Sequence, residues 1–165
     1  TAEEYVAVSA TEMKDSQNSA VKAAKNMLRK RGIDVADAQV SMHVDDIGGP
    51  SAGMMYTLGL IDKLTSQDET GGKTIAGTGT INAKGTVGEI GGIRLKMLGA
   101  KRDGATWFLA PRGNCDEVVG HVPSGLRDVA VSTIDDAYDA VVAIGKGKGA
   151  SLPHCTVDTD VEKTK

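Results

Sequence analysis

Apolar and polar positions along this chain fall into two kinds of segment that take turns. Residues 16–31 place Ala20, Val21, Ala24, Met27 and Leu28 at helical spacing with basic residues between them, and Gly32 stops the helix. Residues 134–145 repeat that period with Ala137, Val141 and Ile144 on one face. Residues 50–64 carry Met54, Met55, Leu58, Leu60, Ile61 and Leu64 almost all round, which predicts a buried helix, and Pro50 suits its first position. Strand-like runs lie between. Residues 3–9 alternate weakly, and Val40, Met42 and Val44 share one side. Residues 105–110 read as a buried strand and residues 129–132 as a strand. Residues 74–81 read as one strand interrupted by Gly77 and Gly79, through close backbone approach or a bulge. A turn at 82–85 and a short strand at 86–90 follow. Gly91 and Gly92 then lead into a helix through Arg102, which Asp103 and Gly104 end. Polar loops are predicted at 65–72 and 111–114, with a short helix starting near Cys115.

No internal repeat is visible. Strands alternating with helices predict a mixed α/β (α+β) fold, one compact domain over residues 1–145. From Gly145 onward Gly, Lys, Ser, Thr and acidic residues predict a flexible tail over 146–165, tied down only if Cys155 is bridged.

Composition narrows the function. Of 165 residues, 40% are apolar and 25% charged, enough for a buried core and against wholesale disorder. Nineteen basic against 22 acidic residues leave a net charge of -3, and one Trp, three Tyr and one Phe make no stacking platform, so nucleic acid is not an expected partner. Twenty-one glycines, against roughly 7% in an average protein, point to tight turns and close backbone approaches. No apolar run approaches the ~20 residues of a membrane span, and no signal-peptide pattern is present. Cys115 and Cys155 are too few for a disulfide scaffold or an all-cysteine zinc site; a single bridge between them would point outside the cytosol.

Ser51 is the candidate nucleophile. Gly49-Pro50-Ser51-Ala52-Gly53 puts a hydroxyl in the first turn of a buried helix, where free N–H groups can cradle developing negative charge. The plain alternative is a helix-start serine in a glycine-rich turn. The same residues match G-x-S-x-G, which would require a histidine base: His121 and His154 follow the serine, with Asp135 and Asp136 as acids, and His43 precedes it. A lysine base is the other option. Lys96 has Gly92, Ile93, Gly99 and Ala100 as helical neighbours, an apolar close-packed face on which an amine would be desolvated and its pKa lowered. The plain alternative is a lysine whose stem covers apolar surface. Other motifs fail. Gly71-Gly72-Lys73-Thr74 lacks the first glycine of a phosphate loop, where Gln67 stands, and Gly77-Thr78-Gly79 meets Asn82 where a dinucleotide fingerprint needs a small residue. No histidine pair has metal spacing, so neither a nucleotide, a cofactor nor a required metal is expected.

Two stretches carry a family resemblance. Ile47-Gly48-Gly49-Pro50-Ser51-Ala52-Gly53-Met54 resembles the serine motif of Lon-type peptidases, and Gly85-Thr86-Val87-Gly88-Glu89-Ile90-Gly91-Gly92-Ile93-Arg94-Leu95-Lys96 resembles their lysine motif, with Thr78-Gly79 between. The likeness runs from about Val40 to Ala143, and the chain as a whole resembles the proteolytic domain of bacterial PDZ–Lon proteins. The run from Gly104 to Pro111, with Asn114-Cys115, is similar to actinobacterial members. The resemblance implies a Lon-protease-like domain and an ATP-independent serine endopeptidase acting on unfolded or accessible protein and peptide substrates. It implies Ser51 as nucleophile, Lys96 as general base and Thr78 as a hydrogen-bonding support for the lysine; the first-turn reading adds backbone groups at Gly49, Ser51 and Ala52 around the oxyanion. It also implies a parent protein with an N-terminal PDZ domain and a membrane anchor, the peptidase lying on the extracytoplasmic side, and leaves a homo-oligomer open. One departure stands out: ATP-dependent Lon enzymes commonly have Asp three positions before the serine, where this chain has Gly48. The rival readings are a serine hydrolase with a histidine base and a non-catalytic or partner-activated interaction module on the same scaffold.

Overall fold

The computed structural model describes residues 17–33, 49–64 and 72–156. Helix α1 occupies residues 17–30, and Gly32 ends it in the left-handed region at φ 83°. A 3-10 turn, Gly49–Ala52, runs straight into α2, Gly53–Leu64. Strands β1 (Ile75–Gly77), β2 (Thr80–Ile81) and β3 (Val87–Gly88) come next, then α3 (Ile93–Arg102) and β4 (Trp107–Pro111). A second 3-10 turn, Arg112–Asn114, leads to the short helix α4 (Cys115–Val118), and β5 (Arg127–Val131) and α5 (Ile134–Gly145) follow. The strands expected at 3–9 and 40–44 lie outside the described residues.

Strands β1, β4 and β5 form a parallel sheet in that order. β4 is central, and its run Trp-Phe-Leu-Ala-Pro has the nearly continuous apolar character that a parallel strand covered on both faces requires. The strand period sorts these residues between two cores. Leu109, Val129 and Val131 pack with α1, α2 and α5 on one face. Phe108, Ala110 and Ala130 pack on the other with Ile93 and Met97 of α3 and Val118 of α4. Each large side chain buried this way contributes on the order of 1.5–3 kcal/mol. The fold is thus mixed α/β, with helices on both sides of one parallel sheet.

The 74–81 segment, expected as a single strand, is two strands in two sheets. β1 pairs with β4, whereas β2 pairs antiparallel with β3, Thr80 opposite Gly88 and Ile81 opposite Val87. Space explains the break. A Cβ on Gly77 would lie 2.9 Å from Leu109 Cβ, and one on Gly79 would lie 2.7 Å from Val87 Cγ1, so the chain skims β4 and then β3. Asn82 holds the following turn, its Oδ1 accepting from Lys84 N at 3.0 Å and Thr86 N at 2.9 Å.

The C-terminal segment was expected to be loose unless bridged, and it is bridged: Cys115 and Cys155 form a disulfide. Ala130 N donates to Pro153 O at 2.9 Å, and Cys155 N donates to Asp128 Oδ2 at 2.7 Å. Residues 146–148 bond back to the end of α5, and Pro153 and Cys155 bond to β5, which corrects the flexible 146–165 tail as far as Thr156; residues 157–165 lie outside the described residues. Among the described residues no helix is long and apolar enough to cross a membrane.

Candidate active site

The site forms where β1 ends. Thr78 N donates to Leu109 O at 3.1 Å, one bond beyond the β1–β4 pairing. Gly79 N then donates to Ser51 O at 2.8 Å, and Met54 N donates to Gly79 O at 2.9 Å. This reciprocal pair fixes the Gly49–Ala52 turn to the carboxyl end of β1. Thr78 Oγ1 adds a bond, donating to the same Ser51 carbonyl at 3.2 Å. Ser51 therefore sits in a 3-10 turn before α2, not in the helix predicted from residue 50. The turn is tighter than an α-helix, and α2 itself starts at Gly53, whose carbonyl accepts from Thr57 Oγ1 at 2.8 Å.

Lys96 arrives from the other face of the sheet. Ile93 and Met97 of α3 are fully buried against it, and Lys96 lies on the margin of that face. Lys96 Nζ donates to Ser51 Oγ at 2.9 Å and to Thr78 Oγ1 at 3.4 Å. The close-packed apolar surround expected for Lys96 is not found, since the residue as a whole stays exposed. Its pKa is nonetheless below the ordinary lysine value, and the cause is desolvation. The one hydroxyl proton of Thr78 goes to Ser51 O, so toward Lys96 this oxygen can only accept.

The other sequence candidates divide cleanly. Gly49, Ser51 and Ala52 all belong to the 3-10 turn. His121 and His154 are exposed, and His154 Nδ1 lies 3.1 Å from Cys155 O. Asp135 pairs with Arg31 at 3.1 Å. Asp136 closes a capping box on α5, accepting from Thr133 N at 3.2 Å while Thr133 Oγ1 accepts from Asp136 N at 3.1 Å. These aspartates hold helices, and neither orients a histidine. His43 lies outside the described residues, as does Gly48. Among the described residues no group of three or more His, Cys, Asp or Glu could hold a metal ion. One buried polar residue stands outside the serine and lysine motifs. Asn114 is 2% exposed and bonds both backbone groups of Ile90, six residues before Lys96. A turn asparagine carries no sign of so distant a partner.

Residues 9–144 match the Lon protease (S16) C-terminal proteolytic domain. Similar proteins include Lon protease 2 of Herpetosiphon aurantiacus, 34% identical over 134 residues, covering 75% of this chain and 16% of that protein. The Lon protease of Xanthomonas oryzae pv. oryzae is 33% identical, covering 77% of this chain and 16% of that protein. The Lon protease of Clostridium beijerinckii is 32% identical, covering 80% of this chain and 17% of that protein. The chain thus spans about a sixth of the length of the curated relatives it matches. The serine turn, the lysine helix and the threonine between them fall within the matched span, and the chain belongs to the Lon protease (S16) C-terminal proteolytic domain family.

Proposed function

We propose that this domain is a serine endopeptidase in which Ser51 attacks the peptide carbonyl and Lys96 is its general base. One observation carries the reading: in a chain of this family, Lys96 Nζ stands 2.9 Å from Ser51 Oγ. In the neutral amine the direction of that bond reverses, and the Ser51 hydroxyl donates to the nitrogen lone pair. Thr78 accepts from Lys96 in either protonation state, which keeps a lysine hydrogen turned to Thr78 and the lone pair turned to Ser51. Lys96 takes the serine proton during attack and returns it to the leaving amine; water then repeats the cycle on the acyl-enzyme. Backbone N–H groups of the Gly49–Ala52 turn form the oxyanion cradle, each such donor contributing about 3 kcal/mol. Cleavage is ATP-independent and confined to unfolded or accessible polypeptide, as the resemblance of the serine and lysine motifs to those of bacterial PDZ–Lon proteins suggests. The Cys115–Cys155 bridge supports an extracytoplasmic location, as the peptidase portion of a membrane-anchored PDZ–Lon protein.

The test is a pH series of fluorophosphonate labelling at Ser51 and of hydrolysis of an unstructured peptide. The base must be neutral to act, and desolvation holds its pKa below 10.5, so both rates rise with pH and level off before an ordinary lysine would titrate. Lys96→Ala loses both activities, and His121→Ala keeps both. An unlabelled Ser51 with no hydrolysis at any pH reduces the domain to a scaffold. Loss on His121→Ala with retention on Lys96→Ala transfers the base role to histidine.

A further inference from the structure

Lys96 reaches Ser51 from a helix whose entrance has little stiffness of its own. Gly91 and Gly92 precede α3, Gly92 sits in the left-handed region at φ 72°, and no side chain caps the first turn. A buried side chain from another element supplies the missing constraint. Asn114, 2% exposed, gives both ends of its amide to Ile90, the residue just before the two glycines. Its Oδ1 accepts from Ile90 N at 2.9 Å, and its Nδ2 donates to Ile90 O at 2.8 Å. One side chain thereby does for Ile90 what a neighbouring strand would do. The turn that carries Asn114 is itself held. It follows central strand β4, and the next residue, Cys115, is disulfide-bonded to Cys155. On α4, Glu117 O accepts from Arg94 Nε of α3 at 3.2 Å.

We propose that Asn114 is a positioning residue for the catalytic base: by fixing Ile90 it sets the direction in which α3 leaves Gly92 and delivers Lys96 Nζ to Ser51 and Thr78. The inference rests on Lys96 being the general base. The geometry leaves little slack. With Nζ at 2.9 Å and 3.4 Å from its two partners, a displacement of about 1 Å away from them ends both bonds and returns the amine to water. The charged residues on the neighbouring elements are Arg94, Lys101 and Arg102 on α3, Glu89 before it, Arg112 on the turn, and Asp116 and Glu117 on α4; desolvation is the cause of the Lys96 shift. The serine turn and the Thr78-Gly79 segment bring none. Lys96 owes its lowered pKa to desolvation, so its location governs its titration.

The experiment compares the wild-type chain with Asn114→Ala, Asn114→Leu and Lys96→Ala. Asn114→Leu removes both bonds while filling most of the volume. The readout is the rate of fluorophosphonate labelling at Ser51 against pH, with a thermal melt of each protein. Loss of positioning moves the midpoint of the pH profile upward, toward the ordinary lysine value, and the labelling rate near neutral pH falls on the order of tenfold. A purely structural asparagine would change the amplitude, through the folded fraction, and leave the midpoint where it was. An unchanged midpoint in both variants, with labelling abolished in Lys96→Ala, overturns the role of Asn114 and leaves the base intact. Wild-type labelling by Lys96→Ala overturns the base itself and the positioning role with it.

Discussion

The serine half and the lysine half of the site are held by different means. Ser51 is fixed through backbone: its carbonyl accepts from Gly79 N and Thr78 Oγ1, and Met54 N returns a bond to Gly79 O. Lys96 reaches the same place on a long side chain, from a helix entered through two glycines and steadied by Asn114. The proposed nucleophile is built into the sheet end, whereas the proposed base is delivered to it. Side-chain changes on the lysine side should therefore alter the titration of the reaction, and backbone changes on the serine side should alter its amplitude.

The largest expected break comes from Lys96→Arg. It keeps the charge and most of the reach but cannot lose its proton, so kcat for peptide hydrolysis falls on the order of 10²–10⁴-fold, with no recovery toward alkaline pH. A rate retained in this variant would show that a charged side chain is sufficient. Next in size is Gly79→Val, which strikes the serine half. Its Cβ would meet Val87 Cγ1 at 2.7 Å, and the strain is transmitted to the Gly79 N–Ser51 O bond. Unfolding in denaturant should show about 1–3 kcal/mol of lost stability. The hydrolysis rate should drop while the midpoint of its pH profile stays fixed. Thr78→Val, of similar shape, should cost roughly tenfold in rate, equivalent to about 1.4 kcal/mol. A hydroxyl that accepts from an ammonium favours the charged form, so its removal shifts the pH midpoint down, opposite to the shift expected for Asn114→Ala. The smallest effect on catalysis belongs to Cys155→Ala. It should cost about 2–4 kcal/mol of stability in a melt while folded molecules keep their rate.

Local signals were the ones the sequence displayed well. Helix α5 was legible because its period and cap are short-range: Ala137, Val141 and Ile144 repeat within the helix, and Thr133 meets Asp136 three residues on. β5 was read short at its start, because Arg127 and Asp128 are polar strand residues whose pairing is set by β4. The division of 74–81 was not legible, since Gly77 is crowded by Leu109 and Gly79 by Val87, contacts that exist only after folding. The candidate site was legible as residue types in motifs. What Lys96 bonds to was not, because its partners are a serine 45 residues away and a threonine 18 residues away. Asn114 was hidden for the same reason, its partner Ile90 being 24 residues upstream.

On the proposed reading the domain hydrolyses accessible polypeptide, so extended segments of its own copies compete with other substrates. The stretch up to Thr156 is removed from that competition. Pro153 is paired to Ala130, and Cys155 is cross-linked to Cys115 across 40 residues. On that reading, autolysis within this stretch should be faster under reducing conditions, so that redox environment bears on the lifetime of the domain.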